Sequence, residues 1–194
     1  MFDKYHADNP VNKVRMSWDF AFSHPAHIIA SFFGSGVIRP APGTWGTLAG
    51  WIVFVLLSPW IPYWTWFFIV AAAFLGGAWA CQKTSDDLGV PDHGSIVIDE
   101  VFAIWLLLAL APPTLIWQVA AFVAFRFFDI VKLPPADYFD QKMKNGFGIM
   151  LDDAIAALYA WIVLFAVQWL RYKIWIFVLI CPLNWVRRLQ KKKR

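Results

Sequence analysis

Charge is what this chain has least of. Asp, Glu, Lys and Arg make up only 15% of its 194 residues, where a soluble domain carries about a quarter. Hydrophobic residues reach 60%, and the mean hydropathy is +0.54. That balance excludes an ordinary water-soluble globule and predicts one membrane-embedded unit. Cysteine is nearly absent. Cys81 and Cys181 both sit in apolar stretches, with no metal or redox spacing, so both read as packing residues. The stretch MFDKYHADNPVNKVRMSWDF is mixed and polar. It is not a basic stub before an apolar run, so no cleavable leader is expected. No internal repeat or low-complexity region is present. Acid is missing from the middle of every apolar run, although the chain has thirteen Asp and Glu. An ion path normally puts acids deep in the membrane, which disfavours a divalent-cation transporter or channel.

What is abundant is apolar length. Six segments stand out: 46–58, 62–81, 96–111, 114–130, 154–170 and 174–186. They predict an all-α, polytopic helical membrane protein with about four to six membrane-embedded helices. Several are shorter than the roughly 20 residues of a full span. If all six cross, residues to Trp45, the loops 82–95 and 131–153, and the C-terminal tail share one side. The turns near 59–61, 112–113 and 171–173 share the other. Of seventeen Lys and Arg, only Arg171 and Lys173 fall with those turns. The excess of cations makes the first side cytoplasmic, with both termini there. Trp60, Trp64, Trp66, Trp117, Trp169 and Trp175 then form an interfacial belt on the far side. The tail RRLQKKKR reads as a grip on anionic lipid headgroups rather than on nucleic acid.

The acids cluster at helix ends: Asp99-Glu100, Asp129 and Asp152-Asp153. Thirteen residues separate Asp99 from Pro112, and sixteen separate Pro113 from Asp129. At about 1.5 Å per residue, the two sites lie within one turn of the same height. Asp152-Asp153 opens the fifth segment from the same side. For that pair, capping by orphan N–H groups explains the placement equally well. Capping explains Asp99-Glu100 less well, because Ile96, Val97 and Ile98 already read as helical. Asp129, at a helix C-terminus, gains nothing from the dipole, but it has Arg126 or Lys132 to pair with.

Crowded carboxylates near lipid repel one another and resist desolvation. A hard divalent cation relieves this, and all-oxygen ligands suit Mg²⁺, Mn²⁺ or Ca²⁺. The loop GSGVIRPAPGTWGTLAG (34–50) adds Ser35, Gly43, Thr44 and Thr47 before a helix start, where an anion can bind. A simple turn into a helix is its plain alternative. Arg126 and Lys132 are suited to hold phosphate oxygens, or are ordinary interfacial cations. His93 in PDHGS is a candidate acid or base. Adjacent residues point about 100° apart on a helix, so Asp99 and Glu100 need not share one role.

Four stretches together resemble the phosphatidylglycerophosphatase A family of bacterial lipid phosphatases. They are FFGSGVIRPAPGTWGTLAG, DDLGVPDHGSIVIDE, FRFFDIVK and NGFGIMLDDAIA. They occur in the family's order and cover roughly residues 24 to 165. The resemblance implies a mostly helical fold at the bacterial inner membrane, the site on the cytoplasmic face. It implies Mg²⁺-dependent removal of the terminal phosphate of phosphatidylglycerophosphate, giving phosphatidylglycerol. On this reading Asp99, Glu100, Asp129 and Asp153, with Asp152 in direct or outer contact, hold one or two Mg²⁺. The nucleophile is water or a carboxylate. Ser35, Gly43, Thr44, Arg126 and Lys132 hold the phosphate, and His93 assists. Ala103 stands where the family usually has glycine, and Asn145-Gly146 where it has paired glycines. Residues 1–170 form the family-like domain, and 171–194 an apolar segment with a basic tail. A lipid phosphotransferase is a second reading, although its usual Asp-Gly and Ala-Arg pattern is absent. A non-catalytic scaffold is a third.

Overall fold

A computed structural model describes residues 14–136, 138 and 142–191, with side chains as far as Trp175. The first thirteen residues and the side chains of Cys181 and of the basic tail lie outside what is described. Seven helices and no strand occur among the described residues. They are α1 (Trp18–Phe22), α2 (Pro25–Ala30), α3 (Pro42–Leu57), α4 (Thr65–Leu88), α5 (Ile98–Leu110), α6 (Leu115–Val131) and α7 (Gly146–Lys191).

Local signals account for most boundaries. α4 stops at Gly89, whose left-handed φ of 69° closes the helix, as glycine does most cheaply. α5 stops before Pro112-Pro113, because proline removes a donor and restricts the residue before it. α5 is the hub of the bundle. Nine of its thirteen residues are buried, and it touches α3, α4, α6 and α7. Ala103 is fully buried there, so the methyl group that replaces the family's glycine is accommodated. Cys81 is a buried free thiol, as a packing residue should be.

The exterior is apolar. Ile116 is 78% exposed, Leu75 70%, Phe68 68% and Val123 61%. So many exposed large apolar side chains are unusual for a soluble monomer. Two helices, Thr65–Leu88 and Gly146–Trp175, are long and apolar enough to cross a membrane, while Pro42–Leu57 is shorter.

Three expectations change. The fifth helix opens at Gly146, not near 154. Asn145 caps it, its Oδ1 accepting from the Gly148 N–H at 2.8 Å. The break expected at Arg171–Lys173 is not there, since α7 runs unbroken to Lys191. Those residues carry charge but no glycine or proline, and charge alone does not end a helix. The fifth and sixth segments are therefore one helix, and the basic tail leaves from the end opposite Asp152. Finally, Trp66 is 1% exposed and belongs to the core, whereas Trp60, Trp64, Trp169 and Trp175 are exposed as a belt requires.

The turns near 59–61 and 112–113 gather at one end of the bundle with residues 171–173 of α7. One cavity joins Pro112 and Thr114 to Arg171 and Tyr172, and a second joins Ser58 and Ile61 to Pro113. At the other end a buried histidine fastens α2 to α4. The Nε2 of His27 lies 2.8 Å from Oδ2 of Asp87, and Lys83 holds the other oxygen at 2.6 Å. Phe20 stacks on the ring with centroids 4.1 Å apart. Asp87→Ala leaves this buried imidazole without its partner. The expected outcome is a lower unfolding midpoint, and a larger drop than in Asp86→Ala, whose carboxylate accepts from Gln82 at an exposed position.

Candidate active site

Three strands of connection build one polar layer. The first turn of α5 carries Asp99 and Glu100, the last turns of α6 carry Arg126 and Asp129, and the second turn of α7 carries Asp152 and Asp153. The expected roles of two pairs are exchanged. Asp99-Glu100 lies in a first turn after all, because α5 begins at Ile98 and not at Ile96. Asp152-Asp153 lies inside α7, so capping does not explain it.

One oxygen each from Asp99, Glu100 and Asp153 lies within 4.8 Å of the others. Adjacent Asp99 and Glu100 therefore face the same point despite their angular separation. Asp99 and Asp153 are buried, and Glu100 is half-buried. The Oδ2 of Asp153 is buried and has no hydrogen-bond partner among the described residues. A buried carboxylate oxygen without a donor is costly. Three carboxylates converging, one of them with such an oxygen, fit a hard cation well, since Mg²⁺ and its relatives take oxygen ligands.

Cations frame this cluster. Arg126 Nη1 donates to Asp129 Oδ2 at 2.7 Å, lies 3.6 Å from Glu100 Oε1 and reaches Thr47 Oγ1 at 3.5 Å. Asp129 thus holds Arg126, the first of its two expected partners, and Arg126 bridges α6 to α5 and α3. Lys132 ends α6 with a left-handed φ of 46° and pairs with Asp152. That pair ties α6 to α7 beside the cluster. Tyr159 adds a bond that the motifs do not reveal, donating to the Pro134 carbonyl at 2.5 Å.

The Gly43-Thr44 loop closes the layer from α3. A β-carbon on Gly43 would overlap Glu100 Oε1 and lie 3.2 Å from both terminal nitrogens of Arg126. A side chain at this position would push the Glu100 carboxylate or the Arg126 guanidinium aside. Thr44 N–H is turned back to the Ala41 carbonyl at 3.0 Å. The Thr47 hydroxyl donates to the Gly43 carbonyl at 2.7 Å. Glycine has a second structural use at Gly146, where a β-carbon would overlap the Ala78 carbonyl. Its N–H bonds Gln82 Oε1 at 2.9 Å, which docks the start of α7 on α4.

Two further candidates are held by backbone contacts. His93 is 1% exposed. Its Nδ1 accepts from Ser95 N–H at 3.1 Å, and its Nε2 faces the Val14 carbonyl at 2.9 Å. Both ring nitrogens are engaged by backbone, an arrangement that shapes the loop leading to Asp99. Ser35 donates to the Ser31 carbonyl at 3.2 Å in a 3-10 turn that packs on Ser95 and Val97. It supports the same loop from the other side.

An all-helical bundle with an apolar exterior, two helices long enough to span a membrane and a carboxylate cluster suited to a cation is compatible with a helical metal-dependent enzyme. The profile of phosphatidylglycerophosphatase A matches residues 28–168, and the chain belongs to that family of phosphatases. A Haemophilus influenzae protein named phosphatidylglycerophosphatase A is 50% identical over 84% of this chain and 96% of its own length. An Escherichia coli protein of the same name is 39% identical over 79% of this chain and 86% of its own. No solved structure matches the chain.

Proposed function

We propose that this enzyme removes the terminal phosphomonoester of phosphatidylglycerophosphate, giving phosphatidylglycerol and phosphate, with Mg²⁺ as its cofactor. The observation that carries the reading is the convergence of Asp99, Glu100 and Asp153 around a partnerless buried oxygen. Asp99, Glu100 and Asp153 would hold the cation. When bound, it supplies charge neutralisation at the phosphate and a more acidic water.

The chain's own groups do the rest. Asp129 holds the Arg126 guanidinium toward Glu100, where its remaining donors are placed for phosphate oxygens. Asp152 holds Lys132 at the edge of the same layer, and the Lys132 ammonium offsets the acids' charge. Gly43 keeps the space between Glu100 and α3 open. His93 and Ser35 position the backbone before Asp99 and are not assigned a proton-transfer role. The substrate's acyl chains remain against the apolar exterior, so its headgroup meets the site without leaving the interface.

The direct test is phosphate release from phosphatidylglycerophosphate by detergent-purified protein. Release is expected with Mg²⁺ and its loss with EDTA, restored by excess Mg²⁺. EDTA-resistant turnover would remove the cation from the reading. Trapping a phosphorylated protein would separate a carboxylate nucleophile from direct attack by water.

We further propose that α3 to α7 are embedded in the bacterial inner membrane with the acid layer on the cytoplasmic face. Arg39, Lys83, Arg126, Lys132 and Lys144 belong to the acid end, but the unbroken α7 carries the tail RRLQKKKR to the end of Arg171 and Lys173, so the cation count does not select the orientation and labelling does. In a cysteine-free background, an impermeant thiol reagent on intact cells is expected to label Trp60→Cys and to spare Pro91→Cys. The opposite pattern would invert the orientation. With α7 unbroken, this orientation implies a tail on the outer side, which a C-terminal reporter tests independently.

A further inference from the structure

We propose a second ligand site at the end of the bundle opposite the acids, one that takes the phosphodiester of an anionic phospholipid in the far leaflet. The proposal rests on the membrane placement given above and on no part of the phosphatase chemistry.

A cavity of about 430 Å³ lies there, between the α5–α6 turn and α7. That volume suits a small-molecule group. Thr114, Trp117, Gln168, Arg171, Tyr172 and Trp175 line it. Each brings at least one hydrogen-bond donor, and no Asp or Glu is among them. Arg171 makes no ion pair among the described residues. Arg126 is the contrast, being held between Glu100 and Asp129. A guanidinium without a carboxylate, in a cavity walled by donors, is built for a phosphate supplied from outside the chain.

The depth agrees. Nineteen residues separate Asp152 from Arg171. At 1.5 Å per residue that is about 28 Å, close to the roughly 30 Å of a hydrocarbon core. With the acids at one headgroup layer, Arg171 stands at the other. Trp117, Tyr172 and Trp175 are the residue types that settle at that level. The absence of a carboxylate sets the preference. The ammonium of an ethanolamine headgroup would meet Arg171 and find no counter-charge, whereas glycerol hydroxyls meet Gln168, Thr114 and Tyr172. Nearby Lys173 serves as an internal control, because it lies over the Trp169 ring at 5.3 Å instead of lining the cavity.

The test is thermal unfolding of the full-length protein in detergent with phosphatidylglycerol, phosphatidylethanolamine or inorganic phosphate added. Phosphatidylglycerol is expected to raise the midpoint by several degrees, more than either alternative. Arg171→Gln should lose at least half of that rise, while Lys173→Gln keeps it. Binding of this lipid at the acid layer contributes equally to all three proteins and cancels. Retained phosphate release in Arg171→Gln would show that the variant is folded. An equal rise in wild type and Arg171→Gln would overturn the site. An equal rise with inorganic phosphate would overturn its assignment to lipid, and an equal rise with phosphatidylethanolamine its preference for an anionic headgroup.

Discussion

Asp153→Asn is expected to lower kcat for phosphate release by about 10²- to 10³-fold, the loss of roughly 3–4 kcal/mol of transition-state stabilisation. The substitution is nearly isosteric, so packing around α7 stays as it is. What changes is one carboxylate charge in a cluster where Asp153 Oδ2 is buried without a hydrogen-bond donor. The same change predicts an opposite effect on stability without cation. In EDTA, Asp99, Glu100 and Asp153 crowd within 4.8 Å, and removing one charge relieves their repulsion. A relief of about 1 kcal/mol corresponds to a rise of about 2–4 °C in Tm for a chain of this size. Added Mg²⁺ should then stabilise wild type and fail to stabilise the variant. A residue with a merely structural role would lose stability in both conditions. Wild-type kcat in Asp153→Asn at every Mg²⁺ concentration would sink the assignment.

Gly43→Ala is the second large effect, and it too separates function from folding. Alanine is favoured over glycine in a helix by about 1 kcal/mol, and Gly43 lies in the first turn of α3. Local propensity therefore predicts a protein at least as stable. The new methyl group, however, overlaps Glu100 Oε1 and presses on Arg126 from 3.2 Å. Either side chain must move, and a displacement of about 1 Å at a reacting centre costs on the order of 10²-fold in rate. The expected outcome is a fall of that size in kcat/KM with an unchanged or higher unfolding midpoint. Gly76→Ala, where nothing lies within 4 Å of the added carbon, is the matched control and should keep its activity. Full activity in Gly43→Ala would mean that α3 is not part of the site.

These two residues differ in how plainly the sequence pointed to them. Asp153 is visible because few acids interrupt an apolar chain, and each that does so at a helix end is conspicuous. Counting turns from Pro112-Pro113 brings Asp99 and Asp129 to one height, and the Arg126 bridge between Glu100 and Asp129 bears that out. Gly43 is visible only as part of a loop. That its missing side chain faces Glu100 depends on how α3 leans on α5, which no local pattern records. His93 shows the same limit. The sequence marks a histidine in a polar loop but not the Val14 and Ser95 backbone contacts on its two nitrogens. Val14 lies far away in sequence, so nothing near His93 announces the contact. Arg171-Tyr172-Lys173 misleads differently. Charge resembles a loop, yet all three residues are compatible with helix, and α7 passes straight through.

Composition and spacing alone determined the helical class, the apolar exterior, the two ends of the bundle and the level of the acids. Each of these follows from local rules: residue hydropathy, proline breaks and a constant rise per residue. The tertiary structure alone decided which side chains meet. It brought Asp99 and Glu100 together to one point, paired Lys132 with Asp152, and put Gly43 against the Glu100 carboxylate. Rotation about a helix axis and the closeness of two helices are set by packing among residues far apart in the chain. The physical reason is that height along a helix is a local quantity, whereas facing is a property of pairs.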